Sequence, residues 1–139
     1  MFPFGSDDAQ KFEDNLAYLE KVEYKTGYSR GGFETRTYMI TKDRVEREIL
    51  RIPGPIVNDD AYTVSSPYTR EEFIQGLKGF KIGKWKKEYD NPMVLDGTYW
   101  DLTFYYKGDI PSVRYTGSNA HPKNYRAFKK FMQRGEEEK

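Results

Sequence analysis

From Val22 the chain alternates. Val22, Tyr24, Thr26 and Tyr28 take every second place, with Lys21, Glu23 and Lys25 between them. A period of two marks a strand with one face in a core and the other toward water. Gly31-Gly32 interrupts the pattern, and a second β-rich run follows over residues 34–41. Two such runs across a glycine-bearing loop predict a hairpin. Lys42-Asp43-Arg44 supplies the next turn. The following run, VEREILRI at residues 45–52, fits a strand and a helical turn about equally, and Pro53-Gly54-Pro55 ends it.

Ahead of the hairpin, Ser6-Asp7-Asp8 places a capping residue and carboxylates where a helix begins. Phe12, Leu16 and Leu19 then recur at i, i+4 and i+7, which predicts a short amphipathic helix over about 7–19. Residues 56–68 have no period and read as an ordered loop. Thr69 and Glu72 have the spacing of a capping box, and the helix it opens carries the stripe Phe73, Ile74, Leu77 and Phe80.

Asp96-Gly97 is a turn before the clearest strand, TYWDLTFYYK, with Trp100, Leu102, Phe104 and Tyr106 on one face. Tyr99, Asp101, Thr103, Tyr105 and Lys107 occupy the other. Residues 108–111 turn the chain into residues 112–116, where Val113 and Tyr115 share a side. A last helix buries Tyr125, Phe128, Phe131 and Met132, and residues 135–139 read as a disordered tail.

The predicted order is α-β-β-β-α-β-β-α in one domain spanning residues 1–139. It describes an α+β two-layer sandwich, an antiparallel sheet of about five strands with helices packed on one face. A chain of 139 residues buries roughly two thirds of its unfolded surface. Aromatic residues make up 17% of it, so the core leans on rings. Twelve tyrosines cannot all be buried, because each buried hydroxyl needs a partner. Some aromatic surface therefore faces water or a ligand.

The 23 basic and 22 acidic residues nearly cancel, so no global field favours nucleic acid or a membrane. Absence of cysteine excludes disulfides, thiol nucleophiles and thiolate metal sites. No basic, apolar leader opens the sequence, and no run approaches a membrane span. The expectation is a cytoplasmic protein with no cofactor.

Three surfaces stand out. Residues 115–125, YTGSNAHPKNY, lead into a helix whose solvent side carries Lys123, Arg126, Lys129, Lys130 and Arg134 with no acid among them. Pro122 suits the first helical position, with His121 as nominal N-cap. Gly117, Ser118, Asn119 and His121 then form either an anion site at a helix start or a strand-to-helix turn. No glycine-rich phosphate motif is present. Ser118, His121 and Asp101 are a conceivable catalytic set by type alone. Asp7-Asp8, Asp59-Asp60 and Asp90 match no calcium-loop pattern, so no metal site is expected.

The second surface is basic: KGFKIGKWKK interleaves Lys84, Lys86 and Lys87 with Trp85. With Lys123, Arg126 and Lys130 it makes nucleic-acid binding the alternative reading. The third is the sheet face of Tyr99, Asp101, Tyr105 and Arg114, rich in residue types favoured at interface hot spots. It supports the leading expectation, a non-enzymatic protein-binding module with a protein partner.

The C-terminal third, with Trp100, Leu102, Tyr115, Gly117, Ser118, Asn119, Ala120, Pro122 and Asn124, resembles a pattern of small, uncharacterised bacterial α+β proteins. That resemblance covers about 40 residues and implies no activity. The order of elements around Gly31-Gly32-Phe33 is similar to that of emfourin-like bacterial inhibitors of metalloproteases. Glu34-Thr35 here replaces the small residue and glycine usual in that family. The likeness implies an inhibitor.

Overall fold

The computed structural model describes residues 4–28, 31–52, 60–93 and 97–136. It opens with α1 (Phe4–Asn15) and a 3-10 turn (Leu16–Tyr18). Four strands follow: β1 (Leu19–Tyr28), β2 (Phe33–Ile40), β3 (Val45–Ile52) and β4 (Asp60–Thr63). Next come α2 (Arg70–Gly79), a 3-10 turn (Ile82–Lys84) and β5 (Glu88–Asp90). The chain then forms β6 (Thr98–Tyr106), β7 (Val113–Ser118) and α3 (Tyr125–Gln133). The Pro53-Gly54-Pro55 break, Asp59 and Asp96 lie outside the described residues.

The α+β expectation holds in outline, with three corrections. The sheet has seven strands among the described residues, not five, in the order β4-β3-β2-β1-β6-β7-β5. It is mixed rather than wholly antiparallel, because β5 runs parallel to β7. The order of elements is therefore α-β-β-β-β-α-β-β-β-α. Strands β4 and β5 have four and three residues, too few to show a period. They are strands because the edges of β3 and β7 offer backbone partners. The third correction is at the first helix, which ends at Asn15. Leu19 matched the helical spacing because it is buried at the head of β1.

All three helices pack on one sheet face. The ring of Phe12 meets Phe104 at 5.0 Å, Tyr38 stacks with Phe73 at 5.6 Å, and Tyr24 meets Phe128 at 5.5 Å. Inward positions align in cross-strand rows. One row is Ile49, Arg36, Tyr24, Leu102 and Tyr115. The next, toward the end of the sheet, is Arg51, Glu34, Thr26, Trp100 and Gly117. The ambiguous run VEREILRI is a strand, with Val45, Arg47 and Ile49 buried.

Two arginines on this inward face are 3% and 1% exposed. Arg47 donates to the carbonyls of Met132 (3.1 Å) and Arg134 (3.0 Å), and to those of Val64 and Ser65. It thereby satisfies the free carbonyls at the end of α3, where a cation also suits the helix dipole. Arg36 pairs with Glu136 and Glu34. The expected tail is thus held as far as Glu136, whose backbone N–H also donates to Gln133.

The opposite sheet face, with Lys21, Glu23, Lys25, Thr35, Thr37, Asp101, Thr103 and Tyr105, is covered by no described helix. No described helix is long and apolar enough to cross a membrane.

Candidate functional site

Strands β6, β1 and β7 gather the expected sheet-face residues on the helix-free side. Arg114 donates to the Asp101 carboxylate through Nε (3.1 Å to Oδ1) and through Nη2. This hydrogen bond and the carboxylate's charge raise the arginine's pKa. Tyr105 donates to Glu23 at 2.9 Å, and the Lys21 ammonium lies 4.5 Å above its ring. Partial burial, then that bond to Glu23, pushes the phenol pKa up. Met39, 43% exposed, pairs with Lys21 on one side as Tyr105 does on the other. Tyr99 stands apart, packed over Gly27, where a Cβ would lie 2.6 Å from its ring.

The 117–122 loop is a built turn. Gly117 is buried against Trp100, whose indole N–H donates to the Ala120 carbonyl at 3.0 Å. Asn119, at φ 60°, receives the Thr98 N–H on its side chain (2.9 Å) and donates its own N–H to the Thr98 carbonyl (2.8 Å). The helix start expected at Pro122 is corrected to Tyr125, with Asn124 in the cap position. Asn124 is held by Trp85 and Phe80 instead of by the helix's own amides. Ser118 belongs to the helix-free face, Asp101 is taken by Arg114, and His121 stacks on Tyr125 at 5.0 Å. Those three residue types do not converge. Among the described residues no acid or histidine cluster could hold a metal.

In the basic segments, Trp85 is only 9% exposed and packs edge-on against Trp100, Tyr115 and Phe128. It is not offered for stacking on a base. Lys86 and Lys87 lie over Tyr89 and Tyr115 at 5.8 and 5.6 Å. The two segments do meet: Lys84, Lys81 and Lys123 share one shallow depression with His121. Arg126 and Lys130 are exposed along α3 beyond it.

A fourth site escaped the sequence reading. At the end of the sheet a cleft of about 360 Å³ opens between the Arg51–Glu34–Thr26–Trp100 row and α3. Helix α3 presents Tyr125, Lys129 and Gln133 to it at successive i+4 steps, and Tyr28, Tyr99 and His121 complete the walls. Glu34 accepts from Arg51 at 2.7 Å and pairs with Arg36 at 2.9 Å. Burial alone would raise its carboxyl pKa, but the two guanidiniums outweigh burial and hold it below the ordinary value. Tyr125 shares a hydrogen bond with Tyr24, and burial pushes its pKa up to about 12. The signal available in sequence was small: Thr26 and Glu34 are polar residues at inward positions of their runs.

No protein-family model, curated protein or solved structure matches this chain.

Proposed function

We propose that this protein is a non-enzymatic protein-binding module, acting as an inhibitor, adaptor or immunity-type partner through its helix-free sheet face. The observation that carries this reading is the row Met39–Lys21–Tyr105, an exposed apolar side chain and a fixed aromatic ring on a broad surface with no described helix over it. A tyrosine already held by Glu23 loses little side-chain freedom on binding, which favours hot-spot behaviour. The central strands of this face carry Glu23, Glu46, Glu48 and Asp101 against Lys21, Lys25 and Arg114. That near balance suits a folded partner whose flat surface carries charges of both signs.

The test is affinity capture with the immobilised protein at low and then high salt, repeated with Tyr105→Ala and Arg114→Ala. A protein retained by the native chain and lost with Tyr105→Ala is the expected result. Unchanged retention by both variants would sink the placement.

Nucleic-acid binding has one observation in its favour, the convergence of Lys81, Lys84 and Lys123. With Trp85 buried, it would rest on phosphate contacts alone and fall steeply with salt.

A further inference from the structure

We infer that the cleft at the end of the sheet is a binding site for a small planar aromatic carboxylate. Its volume lies within the range of ligand pockets, and its walls combine rings with several polar and charged side chains. Tyr28, Trp100 and Tyr125 supply the aromatic surface, and Tyr125 is backed by its stack with His121.

The charge balance selects the ligand's sign. Arg51 shares the Glu34 carboxylate with Arg36, behind the floor, and Arg36 in turn shares Glu136 with Arg47. Lys129 lines the same cleft half-buried, and among the described residues no carboxylate lies within ion-pair distance of it. A lysine that lines a cleft without a described counter-ion favours one bound negative charge, and partial exclusion of water in the cleft strengthens that attraction. Thr26 and Gln133 add a hydroxyl and an amide for the remaining carboxylate lone pairs. Among the described lining residues two cations, Arg51 and Lys129, face one carboxylate, Glu34, and that single excess charge fits a monoanion better than a phosphate or a chain of phosphates. The aromatic walls fit a flat ring better than an aliphatic acid.

Apart from Tyr99, which borders both, this site is separate from the sheet-face surface, so either reading stands if the other fails. The experiment is a titration of the isotopically labelled full chain with 2-naphthoate, followed by amide chemical shifts, with the neutral 2-naphthalenemethanol as control. Naphthoate should bind with a dissociation constant below about 1 mM and at least about tenfold more tightly than the alcohol. The shifts should centre on Thr26, Glu34, Trp100 and Tyr125. Lys129→Met keeps the apolar stem and should weaken naphthoate by about tenfold while leaving the alcohol unchanged. Arg126→Met, on the exposed side of α3, should change neither. The spectrum of each variant reports folding before the titration begins. Equal affinity for the two probes, shifts centred elsewhere, no effect of Lys129→Met, or no binding of naphthoate would each overturn the assignment.

Discussion

Glu136 closes a two-pronged ion pair on Arg36, with Oε2 2.7 Å from Nε and Oε1 2.8 Å from Nη2, across 100 residues of chain. The Arg36 and Glu136 side chains are 4% and 11% exposed, and Arg47 lies 3.4 Å from the same carboxylate. Removing the carboxylate leaves a buried guanidinium without its main counter-charge. Glu136→Ala should therefore lower unfolding free energy by about 3 kcal/mol, read from urea melts. Asp101→Ala breaks a far more exposed pair and should cost under about 1 kcal/mol. Equal effects from the two would contradict this account.

Stability should fall at both ends of the pH scale. Glu34 has a depressed folded pKa, so its contribution is complete above its ordinary value of 4.5 and is lost as pH drops through the lower folded value. Glu34→Gln should flatten the acid limb. Tyr24, Tyr38, Tyr106 and Tyr115 are all pushed above 10 by burial first. Their neutral forms stabilise the fold fully below pH 10, and that contribution is lost as pH rises through the folded values. Thermal melts across both ranges would read these limbs, and a flat profile above pH 10 would contradict the burial of the four phenols.

Gly117 tests whether its loop is architecture. A Cβ there would overlap the Trp100 indole nitrogen and sit 2.5 Å from the Ala120 carbonyl oxygen. Gly117→Ala should cost about 2 kcal/mol, with a changed near-ultraviolet tryptophan signal. An unchanged melt would mean that β7 yields easily at this point.

The helix α2 begins with a complete capping box. Thr69 Oγ1 accepts from the Glu72 N–H at 3.1 Å, and Glu72 Oε1 accepts from the Thr69 N–H at 3.0 Å. Thr69→Ala should cost about 1 kcal/mol by calorimetry, and Thr69→Asn much less.

That capping box was readable from two residue types three places apart, because capping is a local reaction of a side chain with nearby amides. The faces of β6 were readable for a similar reason: alternation survives wherever a strand has one wet and one dry side. The buried arginines were not. Arg36 and Arg47 sit at inward positions that pattern alone assigns to apolar residues, and their partners come from the far end of the chain. The 117–122 loop was legible as a turn, but not its closure by Trp100 and Thr98.

By itself the sequence determined the α+β class, the inward stripes of α2 and α3 and the capping of α2, since each depends on residues a few places apart. Only the tertiary structure decided the two short edge strands, the anchoring of Glu136 and the cleft. Strands β4 and β5 exist because neighbouring edges had unpaired backbone groups. The cleft exists because the Arg51–Glu34–Thr26–Trp100 row joins four strands and faces a helix from the chain's other end. No local pattern encodes such a row: its register is set by strand pairing, and its chemistry arises only when distant residues share one surface.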